Sequence, residues 1–159
     1  MRVEYINPFV EAAFNVLKEV LNTDVKRGDL YLKSSTMSIM GVAALVGLAG
    51  DVEGRVLFDM TKETALAVAG AMNGEEFKTL DEMVKATITE LANMITAQAV
   101  TKLHDLGFKF DLTPPALFTG ENMEISNNLE VEALIVPMEF GPGGKTGKIE
   151  INVVIRERI

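Results

Sequence analysis

The stretch that decides the fold is Thr79–Gly107, TLDEMVKATITELANMITAQAVTKLHDLG. Thr79 followed three residues later by Glu82 is a capping-box pattern, which pairs amide groups that a helix start leaves open. Gly107 supplies the stop. Between them the sequence predicts one long helix, running to about Leu106. At 100° per residue, Val84, Ile88, Leu91, Ala92, Ile95, Ala99 and Leu106 gather on one side, the side that faces a core.

The opposite side of an ordinary surface helix is charged. Here it holds Met83, Ala86, Glu90, Asn93, Met94, Ala97 and Thr101. One carboxylate and one carboxamide sit among small and flexible apolar residues. Glu90 and Asn93 are three apart, so they are neighbours on that face. Asn is a poor mid-helix residue, because its side chain competes for backbone hydrogen bonds. Small residues let a second surface come close, and methionine adapts to its shape. The face reads as a docking surface with two polar groups at its centre. The plainer alternative is two solvated polar residues with no task.

Working outward, Thr61 is an N-cap for a shorter helix through Met72, ended by Gly74. Residues 28–60 read as strands: Leu30 and Leu32 alternate with polar neighbours, and Gly41–Ala49 is a continuous apolar run. Arg55, Leu57 and Asp59 alternate with Val56, Phe58 and Met60, and the Asp51–Gly54 turn (DVEG) suits a hairpin. A first helix starts near Asn7 and Pro8; Phe9, Ala13, Leu17, Val20 and Leu21 recur at helical spacing, with Glu11, Asn15, Lys18 and Asn22 on the other side. Downstream come Phe108–Leu112, then Thr113-Pro114-Pro115, a long strand Leu129–Phe140, a loop Gly141–Gly147 and a strand Lys148–Arg156. The order of helix, strands, two helices, strands predicts an α/β (α+β) sandwich with a largely antiparallel sheet. The two halves are similar in order, which is compatible with an internal duplication. No linker or low-complexity segment interrupts the chain, so residues 1–159 read as a single domain.

Composition bounds the chemistry. The chain is 48% hydrophobic and carries a net charge of −8, with a pI near 4.7 and a mean hydropathy of +0.20. Its acidic balance argues against nucleic acid and anionic membrane as partners. The absence of cysteine excludes disulfides, thiolate metal sites and a cysteine nucleophile. No apolar run approaches the roughly 20 residues of a membrane helix, and Met1–Phe9 lacks a signal-peptide pattern. A cytoplasmic location is the expectation.

The segment Thr89-Glu90-Leu91-Ala92-Asn93-Met94 resembles the signature of the CheC/CheX/FliY phosphatases. That signature is Asp or Ser, three residues, Glu, two residues, Asn, then a proline about twenty residues on. Glu90 and Asn93 match its Glu-x-x-Asn core. Asp111-Leu112-Thr113-Pro114-Pro115 resembles the proline element, with Pro115 lying 22 positions after Asn93. The Asp or Ser expected four before Glu90 is Ala86. Length and element order fit the CheX branch over nearly the whole chain. In the first helix Glu11 is followed three residues later by Phe14, not Asn, so a second site is not expected.

The resemblance implies removal of the aspartyl phosphate from a phosphorylated CheY-like response regulator. Asn93 would position the attacking water. Glu90 would pair with a lysine beside the regulator's phosphorylated Asp. Met83, Ala86, Met94, Ala97 and Thr101 would form the docking surface. The chain would need no cofactor of its own, since Mg²⁺ would be held by the regulator. A homodimer is also implied. Two alternatives stand beside this: a non-catalytic module that binds a regulator or flagellar switch component, and a structural oligomer that extends its sheet through Leu129–Phe140.

Two motifs lead elsewhere. Gly143-Gly144-Lys145-Thr146 looks like the end of a P-loop, but Glu139 stands where the motif needs glycine and a strand follows in place of a helix. His104, the only histidine, lies eleven residues beyond Asn93, about 16 Å along the helix. It cannot share a site with Asn93 unaided. One His and no Cys leave a zinc site or a Ser/His triad without ligands or base.

Overall fold

Strand-like runs flanking a long amphipathic helix bury their apolar surfaces when helices lie on a sheet. The computed structural model of the chain, which describes residues 3–33, 36–126, 132–144 and 146–157, has that form. In chain order its elements are α1 (Val3–Leu21), β1 (Val25–Arg27), β2 (Tyr31–Lys33), β3 (Thr36–Ser38), β4 (Val42–Gly50) and β5 (Val52–Met60). These are followed by α2 (Lys62–Asn73), α3 (Glu82–Asp105), β6 (Phe110–Leu112), β7 (Ala116–Thr119), β8 (Glu124–Ser126), β9 (Ala133–Phe140) and β10 (Gly147–Glu157). The main sheet runs β1-β9-β10-β5-β4-β6, with β2 beside β9 and β7 beside β4. Every pairing among the described residues is antiparallel, as the sequence predicts.

The three helices cover one face of this sheet. Phe9, Ala13 and Leu17 of α1 meet Val68 of α2 and Ile88, Leu91 and Ile95 of α3 over Val56, Phe58, Val136, Met138, Ile151 and Val153. Each large side chain buried there contributes about 1.5–3 kcal/mol. On the other face Ile39, Ala43, Leu57, Ala133, Ile135 and Val154 form a smaller cluster, against which Phe118, Met123 and Ile125 pack. The β3–β8 ribbon lies on that side. Both faces of β5 are therefore covered: Asp59 is buried as fully as Phe58, and Arg55 is buried too, though less completely.

Local chemistry explains several boundaries. Thr61 caps α2 by accepting from the Thr64 amide, and Gly74 closes it at φ 70°, a left-handed position suited to glycine. Gly54 sits inside β5 because a Cβ there would lie 1.8 Å from the Val154 carbonyl oxygen. The DVEG turn is tighter than the sequence suggests, since β4 reaches Gly50 and β5 resumes at Val52.

Other expectations need correction. Helix α1 begins at Val3, which puts Pro8 inside it. Pro8 has no amide to offer, so one intrahelical hydrogen bond is lost and amphipathic burial carries the helix through. Helix α3 is capped by Asp81, whose carboxylate accepts from the Val84 amide at 2.9 Å; the Thr79–Glu82 pair does not cap it. Leu106, placed on the core side by periodicity, is the C-cap and is 60% exposed. Leu30 and Leu32 are also exposed. The long strand Leu129–Phe140 starts at Ala133 within the described residues, and residues 127–131 lie outside them. It is not an edge: β9 has β10 on one side and β1 and β2 on the other, so it cannot extend the sheet into a neighbouring molecule. The segment after α3 makes two strands, not one, and both line β4. Thr113 bridges them, its amide donating to Gly47 O and its hydroxyl accepting from the Gly47 amide. Pro114 and Pro115, which lack amides, fall in the gap.

Candidate active site

Amphipathicity fixes which side of α3 meets the solvent. Val84, Thr87, Ile88, Leu91, Ala92, Ile95, Thr96, Ala99, Val100 and Leu103 are buried. Met83, Ala86, Glu90, Asn93, Ala97 and Thr101 are exposed, and they advance by steps of three and four. Such steps draw a nearly straight stripe along a helix. Met83 is 54% exposed, an unusual position for so apolar a side chain. Met94 differs from the expectation: it is half-buried and packs against the core at the margin of the stripe.

Glu90 and Asn93 lie in mid-stripe, separated by about 4.5 Å of helical rise. Neither side chain has a hydrogen bond or ion pair with another described residue. Lys85, the nearest cation along the helix, pairs with Glu82 at 3.7 Å. Thr101 is less polar than it looks, because its hydroxyl donates to the Ala97 carbonyl at 3.0 Å. Glu90 is thus the only charge on an otherwise neutral ridge, and Asn93 beside it keeps donor and acceptor capacity open.

The ridge is convex. One cavity, of about 450 Å³, lies between α1 and the C-terminal end of α3, lined by Glu4, Asn7, Pro8, Glu11, Lys102, Asp105 and Leu106. It includes neither Glu90 nor Asn93. A convex ridge cannot exclude water or enclose a small substrate by itself. What it can do is enter a concave site on another macromolecule and deliver two polar groups there.

The remaining titratable groups sit elsewhere. Glu11 is not a simple solvated acid, as its carboxylate meets Lys102 Nζ at 2.6 Å and ties α1 to α3. Phe14 is half-buried with Lys18 over its ring, and Asn15 is exposed. The glycine-rich segment of the P-loop lookalike makes a short 3₁₀ turn, Pro142–Gly144, followed by β10. Lys145 lies outside the described residues. No group of three or more His, Asp or Glu among the described residues could hold a metal ion. No helix among them is long and apolar enough to cross a membrane.

Sequence reasoning missed a polar cluster on the far face of the sheet. Asp59 and Glu150 are cross-strand partners, both buried. Glu150 accepts from the Tyr31 hydroxyl and has Lys33 and Lys148 at 3.5 and 3.8 Å. Burial pushes the Asp59 carboxyl up to about 6, and the Glu150 carboxylate adds to the rise. The Met40 amide, at 2.9 Å from Asp59 Oδ1, opposes it. Burial also lowers the Arg55 guanidinium. This cluster and α3 lie on opposite faces of the sheet, so the perturbed groups take no part in the ridge.

An antiparallel sandwich whose longest helix carries one carboxylate and one carboxamide on its exposed face is the arrangement that the resemblance to the CheC/CheX phosphatases implies. The profile of the family described as chemotaxis phosphatase CheX matches residues 42–139, and the chain belongs to that family. The CheY-P phosphatase CheX of Thermotoga maritima is 31% identical over 132 residues, covering 80% of this chain and 83% of that protein. A chain of the CheX–CheY–BeF3–Mg2+ complex from Borrelia burgdorferi is 47% identical; the match covers 98% of this chain and 100% of that one, with a TM-score of 0.84. A CheC-like superfamily protein from Shewanella sp. PV-4 is 30% identical, covers 98% of this chain and 99% of its own, and has a TM-score of 0.86. The expected fold class is the one found.

Proposed function

We propose that residues 1–159 form one phosphatase domain that hydrolyses the aspartyl phosphate of a CheY-like response regulator, with Glu90 and Asn93 as its catalytic residues. The observation that carries this reading is the uncommitted Glu90–Asn93 pair on a convex, nearly neutral ridge. The 47% identical chain from a complex containing CheY and beryllofluoride, a stand-in for a phosphoryl group, supports it.

The chemistry asks little of the phosphatase. Water attacks phosphorus in line with the aspartyl oxygen, the P–O bond to the aspartate breaks, and inorganic phosphate leaves with the water's oxygen. Such transfers depend on positioning and charge stabilisation. Asn93 can accept a hydrogen bond from that water at its amide oxygen and donate from its amide nitrogen. Glu90 would pair with a regulator lysine next to the phosphorylated Asp and so fix the ridge in place. Met83, Ala86, Met94, Ala97 and Thr101 would make the surrounding contact. Mg²⁺ would be held by the regulator's own carboxylates. The exposed Leu30, Tyr31 and Leu32 lie on or beside β2, which among the described residues pairs only with β9, and they favour a homodimer. We place the protein in the cytoplasm, with its regulator.

The test is phosphate release from an acetyl-phosphate-charged CheY-like regulator with Mg²⁺, with and without the protein. Accelerated release is expected. Binding to the charged regulator without acceleration would instead identify a non-catalytic docking module, with Ala86 the first suspect. Size-exclusion chromatography with light scattering reports the dimer.

A further inference from the structure

A helix held to a sheet only by apolar side chains can turn about its own axis at modest cost, because apolar contacts have little direction. The ridge of α3 cannot tolerate this. A group about 5 Å from a helix axis moves by roughly 2 Å when the helix turns by 20°. A misplacement of about 1 Å can cost on the order of 100-fold in rate. Something directional has to fix the azimuth of α3.

Among the described residues, two polar contacts that tie α3 to the other helices bear on this. One is the Lys102–Glu11 pair, at 2.6 Å. It is largely solvent-exposed and nine residues beyond Asn93, and exposed pairs hold weakly. The other is part-buried, with Thr87 on its inner side, and close to the site. Thr87 is 7% exposed and lies three residues before Glu90. Its hydroxyl donates to the Met83 carbonyl at 2.7 Å and accepts from Asn73 Nδ2 at 2.8 Å. Asn73 is the last residue of α2, and its second amide hydrogen goes to the Ala69 carbonyl at 2.9 Å. Each group in this chain is fixed by the next. The hydroxyl cannot rotate without losing Met83, and the amide cannot swing without losing Ala69. Asn73 is itself held by its place before the left-handed Gly74, whose amide returns to the Gly70 carbonyl.

We propose that the Ala69–Asn73–Thr87–Met83 hydrogen-bond chain sets the azimuth of α3, making Asn73 and Thr87 positioning residues for the reaction. Neither residue lies on the ridge stripe. They act through the direction in which Glu90 and Asn93 point. This inference rests on the reading of those two residues as the catalytic pair. Docking suffers less than turnover when the chain is broken, because Met83 and the small residues of the ridge can adapt to a turned surface, whereas an in-line water cannot.

The experiment is steady-state and single-turnover phosphate release, with affinity for the beryllofluoride-bound regulator measured in parallel. Thr87→Val removes the hydroxyl at constant size, and Asn73→Ala removes the donor at a solvent-exposed helix end. Each should lower kcat about tenfold and change KM and affinity by less than threefold. Thr87→Ser should restore kcat to within about twofold. The double variant should fall no further than either single one, since both break one chain. Lys102→Met should stay within twofold. If the chain is merely structural, melting temperature falls while kcat per folded molecule stays unchanged, and the inference is overturned. A wild-type protein that fails to accelerate release sinks the catalytic reading itself, and this inference falls with it.

Discussion

Helices α1 and α3 lie side by side on the same face of the sheet and bury their inner sides in the same core. Their outer sides differ. Helix α1 presents Glu11, Asn15, Lys18 and Glu19, a solvated face of mixed charge. Helix α3 presents Met83, Ala86, Glu90, Asn93, Ala97 and Thr101, a face that water alone does not favour. Burial explains the inner side of both and the outer side of neither. A solvated helix gains nothing from an exposed methionine, so the composition of the α3 ridge points to a surface that is covered when the protein works. A Glu-x-x-Asn pair in mid-helix exists on α3 only: on α1 that spacing occurs at the two ends, Glu4–Asn7 and Glu19–Asn22, while in its middle Phe14 stands where Asn is needed and Glu11 is already paired with Lys102.

That contrast can be broken by experiment. The largest effect belongs to Asn93→Ala, which should lower the rate of phosphate release at least about 100-fold, because it removes the group that orients water. An exposed site tolerates the change, so thermal melting should shift little. Glu90→Ala comes next, with kcat/KM down about tenfold or more and a clear rise in KM in steady-state assays, since docking and turnover both lose an anchor. Completing the motif at Glu11, in the middle of α1, with Phe14→Asn should create no second activity. It should cost about 1–3 kcal/mol in denaturant unfolding, because a partly buried ring is lost. A second, additive site in that variant would show that the sequence motif suffices without the ridge. Asn15→Ala should change turnover by less than twofold.

The smallest effect on activity is expected from Asp59→Asn, on the sheet face that neither helix touches. Its consequence is for stability. The native pKa of about 6 lies above the unfolded value, so the folded state holds the extra proton. Stability from this source is full below about pH 4 and is lost as pH rises through about 6. Unfolding at several pH values should therefore show Asp59→Asn more stable than the parent by about 1–3 kcal/mol at pH 7, with the gap closing near pH 4. Turnover should stay within twofold throughout.

Much of this was legible in the sequence because local rules and tertiary needs agree. The Thr61 and Gly74 caps of α2, the alternation in β10 and the two-sided character of α3 all follow from spacing and residue type. The misses have particular causes. Pro8 marks a helix start only when no earlier turn can be buried, and Tyr5 and Ile6 bury one. Thr79 and Asp81 both offer caps, and periodicity cannot choose between them. Leu106 is placed inward by a wheel that continues past the cap. Alternation in β5 identifies a strand but hides that both of its faces are covered, because the β3–β8 ribbon comes from distant segments. The Asn73–Thr87 contact likewise joins two helices, and no spacing rule reports it. Of the site, Glu90 and Asn93 were visible as an anomaly on a helix face, while their freedom from partners and the convexity of the ridge needed coordinates.

The most direct test of the central claim separates docking from water positioning. It is single-turnover decay of phosphorylated CheY-like regulator with Mg²⁺ at saturating Asn93→Ala variant, with binding to the beryllofluoride form measured alongside. The account predicts affinity within about threefold of the parent and decay no faster than the regulator's own. Decay at the parent rate would contradict it, and would place the catalytic group somewhere other than Asn93.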